Sequence, residues 1–201
     1  MQISIYPRSP EYIPSKKSDT DAGYDLRACI KIAIVDQQIG KLAKLNKPSK
    51  VWINGQAVKI PNFRAAAEDI YATLKAEHFP EDSVIVILPN TTEIVSAGFK
   101  IALPQADKGF NTVMQIYPRS GLGINSNLIL ANSVGIVDCN YTKSEVCMGL
   151  YNSSEYAHII LDRARVAQAL FTSVADCHFE IQTNWDDSTD RGGGLGHSGV
   201  K

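Results

Sequence analysis

The chain has no long apolar run. Its longest, Val84 to Leu88, is closed by Pro89 and falls far short of the roughly 20 residues a membrane-spanning helix needs. It has no charge excess: 20 Lys+Arg face 21 Asp+Glu, for a net charge of -1. That balance argues against a protein that coats nucleic acid or another polyanion. It has no C-x-x-C pair. Cys29, Cys139, Cys147 and Cys177 stand apart and read as reduced, mostly buried thiols of a cytoplasmic protein. The opening MQISIYPRSP lacks a charged segment followed by an apolar one, so no secretory signal is expected. Neither a membrane nor a nucleic acid is an expected partner. No internal repeat is visible.

What remains is an ordinary globular composition. Hydrophobic residues make up 44% and charged residues 20% of 201 residues, which suits one domain, or one domain with an insertion. Most of the chain reads as short strands: 84–88, 99–103, 112–117, 145–151 and 177–182. Each is rich in β-branched and aromatic residues, and Pro, Asn and Ser turns separate them. Many strands without helices between them predict a mainly β sandwich or barrel.

The stretch 36–82 breaks this texture. Lys50 to Ile60 reads KVWI-NG-QAVKI, and Asn-Gly between two β-prone arms is a strong hairpin signal. Beyond it Phe63, Ala67, Ile70, Tyr71, Leu74 and His78 recur at helical spacing, with Asn62 as the N-cap. The expectation is a hairpin-plus-helix unit set into a β domain. From Gln37 to Ala67 there are six basic residues and no acidic one. They read as a solvated lysine face, offset by the acidic residues that follow. The tail, 183–201, is rich in glycine. It reads either as a disordered end or as a flexible lid whose arginine and backbone N–H groups suit phosphate.

Four stretches carry side chains suited to chemistry. TDAGYDLRA at 20–28 sets Asp21, Asp25 and Arg27 around a glycine. YPRSGLG at 117–123 offers an arginine fork, a hydroxyl and backbone donors to an anion. NSVGIVDCNY at 132–141 delivers Asp138 after an apolar run. RVAQALF at 165–171 sets Gln168 in an apolar strand. Each is weak alone.

Their order and spacing, with RGGGLGHSG at 191–199, resemble the five motifs of the trimeric, all-β dUTPase family. DAGYDLRAC (21–29) is similar to the first motif, PRSGLG (118–123) to the second and NSVGIVDCNY to the third. RVAQALF and RGGGLGHSG are similar to the fourth and fifth. The resemblance implies a jelly-roll or β-barrel domain with a flexible glycine-rich lid. It implies a homotrimer whose sites are shared between subunits, and hydrolysis of dUTP to dUMP and pyrophosphate by water attack on the α-phosphorus. Asp138 then matches the residue that activates the water, and Gln168 joins it as a catalytic residue. Arg119, Ser120, Gly121, Gln168, Arg191, His197 and Ser198 match phosphate contacts. Asn132, Gly135, Val137, Asp138, Tyr141 and Leu195 match the base and sugar contacts, the former along a β-hairpin near 134–146. Mg²⁺ is the implied cofactor, with Asp25 in its outer shell.

Three departures from the family pattern bear on function. Tyr141-Thr142-Lys143 replaces the usual Tyr-x-Gly, which raises a 5-substituted dUTP or dTTP as an alternative substrate. Leu195 takes the place of a stacking Phe. The glycine usual before the fourth motif is Arg163 or Ala164. The added unit 36–82 suits a bacterial or phage-infected host setting. It leaves open an unknown protein partner, and with it a regulatory binding role in place of catalysis.

Overall fold

The computed structural model describes residues 2–30, 35–45, 49–60, 65–78, 83–105 and 110–184. The first half of the chain contributes β1 (Ser4–Pro7), β2 (Tyr24–Arg27), α1 (Val35–Leu42), β3 (Lys50–Ile53), β4 (Gln56–Lys59) and α2 (Ala67–His78). There follow β5 (Val84–Ile87), β6 (Thr92–Ser96), β7 (Phe99–Ala102), β8 (Phe110–Pro118) and α3 (Ser120–Ser126). The last elements are β9 (Leu128–Leu130), β10 (Gly135–Val137), β11 (Cys147–Asn152), β12 (His158–Leu161) and β13 (Arg165–Ala175). Among the described residues the strands form four sheets, ordered β1-β7, β10-β8-β13-β2, β6-β11-β9 and β4-β3-β12-β5. Among these same residues the ladders are antiparallel except β3 with β12. The fold is mainly β, as the short-strand pattern predicts.

Two apolar cores share one wall. Along β5, Val84 and Val86 face the second core, while Ile85 and Ile87 face the main one. Along β12, Ile159 faces the second core and Ile160 the main one. Burial on both faces is why VIVIL and HIIL are continuous apolar runs instead of alternating ones. The second core is closed by α1 and α2 through Leu42, Ile70, Tyr71 and Leu74, and by Val51 and Ile53 of β3. The Asn-Gly hairpin forms as its sequence predicts, with Asn54 at φ 47 and Gly55 at φ 82. Both central residues of such a turn need positive φ. Asn54 also ties the hairpin down, because its side-chain oxygen accepts from the Leu161 N–H at 3.0 Å.

Several expectations are corrected. Residues 177–182 form no strand: the β13 ladder ends where Ala175 meets Phe110, the first residue of β8. A β-prone sequence without a partner edge is only extended chain, and Phe179 and Ile181 are 96% and 93% exposed. The helix α1 is an addition to the expected elements: Val35, Ile39 and Leu42 do recur at helical spacing, but eight residues that include Gly40 are too few to signal a helix on their own. The thiols are not mostly buried: Cys29 is, Cys139 is intermediate, and Cys147 and Cys177 are exposed. All four are free. Asn62 and Phe63 lie outside the described residues. The turn before β13 forms although glycine is missing. Arg163 itself takes φ 63, held by an ion pair to Asp162 and by Arg27, which donates to the Arg163 carbonyl.

His158 is fully buried, and its Nε2–H donates to the Ser126 carbonyl at 2.9 Å. Burial pushes its pKa down from 6.5 to about 4. Below pH 6.5 the unfolded chain therefore takes a proton that the folded chain refuses, and stability falls with pH until the folded value is reached. The expected loss from this group is about 2–3 kcal/mol between pH 7.5 and 4.5. Urea unfolding at both pH values measures it. His158→Gln removes that share of the slope, and an unchanged slope would show that His158 is not its source.

Candidate active site

The antiparallel ladders bring three of the distinctive stretches into one row. Asp25 of β2 lies opposite Gln168 of β13, and Gln168 lies opposite Tyr117 of β8. Residues directly opposite in a ladder project to the same face. A cleft of about 380 Å³ opens there, lined by Gly23, Asp25, Arg119, Ser120, Arg165 and Gln168, with Gly121, Lys17 and Asp21 also contributing.

Asp25 organises the cleft. Its Oδ1 pairs with Arg119 Nε at 2.9 Å and its Oδ2 with Arg165 Nη1 at 3.1 Å. Arg119 Nη1 donates to the Arg165 carbonyl at 3.1 Å. One carboxylate thus fixes two guanidinium groups and leaves part of each fork free to donate. Gln168 Nε2 donates to the Pro118 carbonyl at 3.1 Å. Its Oε1 is received by Gly23, where a Cβ would stand only 2.8 Å away. The glycine of DAGYD is therefore a matter of space.

The PRSGLG stretch is a helix start. Arg119 is the N-cap residue, with extended backbone at φ -85 and ψ 133. Its carbonyl accepts from the Leu122 and Gly123 N–H groups at 3.1 and 2.9 Å. The N–H groups of Ser120 and Gly121 belong to the first turn, where no intrahelical carbonyl is available. Lys17, Arg119 and Arg165 set three cations against the carboxylates of Asp21 and Asp25. Asp21 is partly spoken for, since it accepts from the Ser18 N–H at 3.0 Å. The arrangement suits a flexible polyanion with several oxygens.

The third stretch lies elsewhere. β10 pairs with β8 so that Val137 faces Met114. The chain therefore leads Asp138 away from the Arg119 end of β8. From Val113 to Arg119 is six residues, or roughly 20 Å at strand rise. Asp138 and Asn132 are exposed, Gly135 is half-buried and Val137 is buried. Tyr141 is 39% exposed, and its hydroxyl donates to the Glu145 carbonyl at 3.1 Å. The segment 134–146 is not a β-hairpin. β10 joins β8, while β11 joins β6 and β9. Residues 138–146 form a looped connection between sheets, closed by Tyr141. Arg191, Leu195, His197 and Ser198 lie outside the described residues.

Sequence reasoning missed Arg165, Lys17 and the spatial role of Gly23. Arg165 opens the RVAQALF stretch and was visible as its only charge. Its pairing with Asp25 follows from the β2–β13 ladder, which no local pattern reveals.

The dUTPase family model matches residues 79–199. That span holds the second to fifth stretches, and the ladders join Asp25 of the first to the second and fourth. The chain belongs to the dUTPase family. It is 35% identical over 135 residues to the deoxyuridine 5'-triphosphate nucleotidohydrolase of Pseudomonas aeruginosa (strain LESB58), covering 67% of this chain and 82% of that protein. It is 32% identical over 151 residues to the protein of the same name from Klebsiella pneumoniae, covering 73% and 91%. The fold is similar to that of a Staphylococcus bacteriophage 80alpha dUTPase mutant solved with dUpNHpp, with a TM-score of 0.62, 14% identity and 99% of both chains covered. A dUTPase from phage phi11 of S. aureus, solved to visualise its species-specific insert, gives a TM-score of 0.57 at 12% identity, covering 92% of this chain and 99% of that one. The family's β-rich fold thus extends across the first half of the chain, ahead of the matched span.

Proposed function

We propose that this family member hydrolyses dUTP to dUMP and pyrophosphate, with water attacking the α-phosphorus. The observation that carries the reading is the convergence of Asp25, Arg119, Ser120, Arg165 and Gln168 on one cationic cleft. In this reading Arg119, Ser120, Gly121 and Gln168 hold the triphosphate. Charge-assisted bonds from a fixed guanidinium are stronger than neutral ones and cost no reorganisation during reaction. Asp138 accepts a proton from the attacking water, and Tyr141 packs against the deoxyribose. The tail residues Arg191, Leu195, His197 and Ser198 close over the substrate.

Mg²⁺ suits the donor set. Among the described residues no group of three or more His, Cys, Asp or Glu side chains is placed to hold a metal ion. Mg²⁺ commonly keeps several waters and binds through one or two carboxylates plus substrate phosphates, so Asp25 is the residue that would orient its hydration shell. When bound, the ion neutralises phosphate charge. A mutant dUTPase from phage phi11 of S. aureus was solved with a structural Mg(II) ion.

A homotrimer with shared sites is part of the proposal. Asp138 and Arg119 stand roughly 20 Å apart along β8 of one chain, too far to serve one triphosphate. Arg119 of one subunit and Asp138 of a second can serve it together. The shared name of the relatives favours dUTP over 5-substituted dUTP or dTTP, and catalysis over a purely regulatory role. Pyrophosphate release with Mg²⁺ across dUTP, dTTP, 5-hydroxymethyl-dUTP and UTP tests the reading. dUTP is the expected best substrate by about 10- to 200-fold, the range for rejecting one added small group. The base edge is the same in dTTP and 5-hydroxymethyl-dUTP, and only the room at carbon 5, or at the 2′ position for UTP, differs. Equal rates with dTTP would overturn the base assignment.

A further inference from the structure

The 36–82 unit touches the candidate site from behind. Helix α3 begins at the phosphate cleft and buries Leu122 and Ser126 on its inner face. Both residues meet the β3–β4 hairpin or the strand it extends. Gly55, at the hairpin tip, lies so close that a Cβ there would stand 2.6 Å from Leu122 Cδ2 and 3.6 Å from Ser126 Oγ. Trp52 of β3 is the parallel ladder partner of His158. Their rings stack at 6.0 Å with an interplanar angle of 17°. His158 in turn donates to the Ser126 carbonyl in the last turn of α3. Ser126 Oγ donates back to the Leu122 carbonyl at 2.9 Å, which ties the two contact points together.

We infer that the β3–β4 hairpin is a positioning element of the phosphate site: it clamps the buried face of α3 and so sets Arg119, Ser120 and Gly121 at the helix start. This rests on the reading of α3 as part of the phosphate site. The hairpin is held firmly enough to act this way. Asn54 is bonded to β12 through both its N–H and its side chain. Val51 and Ile53 are anchored in the second core. A shift of the tip therefore passes to α3 and is not absorbed by a loose loop. Asp138 lies at the other end of β8 and is untouched by such a shift.

Gly55→Ala tests the clamp, because its Cβ drives into Leu122 and its φ of 82 disfavours any side chain. The expected result is a rise in KM for dUTP of about tenfold with kcat changed less than about threefold, the signature of lost ground-state binding. Leu74→Ala is the stability control. It opens the second core, where Leu74 is 2% exposed, without touching α3. It should lower Tm while KM stays within about twofold. If Gly55→Ala does not fold, His158→Phe keeps a ring beside Trp52 and removes the bond to Ser126, with an expected KM rise of about threefold. A folded Gly55→Ala or His158→Phe with unchanged KM overturns the inference, as does a KM rise in Leu74→Ala equal to theirs. Arg119→Ala, run alongside, separates the two levels. If it too leaves KM unchanged, the phosphate-site reading has failed. If it raises KM and Gly55→Ala does not, only the clamp has failed.

Discussion

Asp138→Asn is expected to lower the rate of pyrophosphate release from dUTP by about 10²- to 10⁴-fold, the range that a general base contributes. The substitution keeps the shape of the side chain. It removes the ability to take a proton from water, since an amide does not accept one in this role. Among the described residues no hydrogen bond or ion pair uses the carboxylate. Asp138 is exposed at the end of β10, and its backbone carbonyl, not its side chain, accepts from the Tyr141 N–H at 3.1 Å. The anchor of this segment is the neighbouring Val137, which is 7% exposed and belongs to the main core. Thermal stability should therefore stay within about 0.5 kcal/mol of wild type. KM should change little, because the triphosphate contacts are assigned to other groups and Asn keeps the shape of the side chain at 138. Single-turnover release and a melting curve measure both. A variant that keeps more than about a tenth of the wild-type rate would remove Asp138 from proton transfer.

The site was legible in the chain as residue types in order, and the fold as strands, but not as positions in space. DAGYD, PRSGLG and RVAQALF each contain the groups that meet in the cleft. Their meeting depends on the register that sets Asp25 beside Gln168 and Gln168 beside Tyr117. Register is a long-range property, so the Asp25–Arg165 pair escaped notice although both residues were in view. The Asn-Gly hairpin was legible because its turn chemistry is local. Helix α1 was not, although Val35, Ile39 and Leu42 recur at helical spacing, because so short a helix is marginal alone and its stability comes from packing Ile39 and Leu42 on the second core. Residues 177–182 show the converse. Their alternation is strand-like, yet no strand forms within the chain, because β-propensity describes fit to a partnered surface. Arg163 shows a local rule overridden. A turn that glycine would take most easily is made by arginine, with its backbone and side chain both tied.

Mixing two inactive variants should restore activity. Arg119→Ala removes one of the two guanidinium groups held by Asp25 and is expected to cost about 10²- to 10³-fold in kcat/KM. Asp138→Asn costs a similar amount or more. Within one chain the two residues are separated by roughly 20 Å, so each variant damages a different half of a site. In a closed ring of subunits, each site would take Arg119 from one copy and Asp138 from its neighbour. Random assembly of the two variants in equal amounts then produces about a quarter of sites with both residues intact, since each half is intact in half of the copies. Co-expression, or joint unfolding and refolding, supplies the mixed assemblies, and pyrophosphate release reads them. The expected activity is about a quarter of wild type, far above either variant alone. Mixing the folded variants without subunit exchange should restore nothing. If mixed assemblies stay as inactive as their parts, each chain must build its site alone. Asp138 or Arg119 would then have to leave the mechanism, because one triphosphate cannot reach both across the sheet.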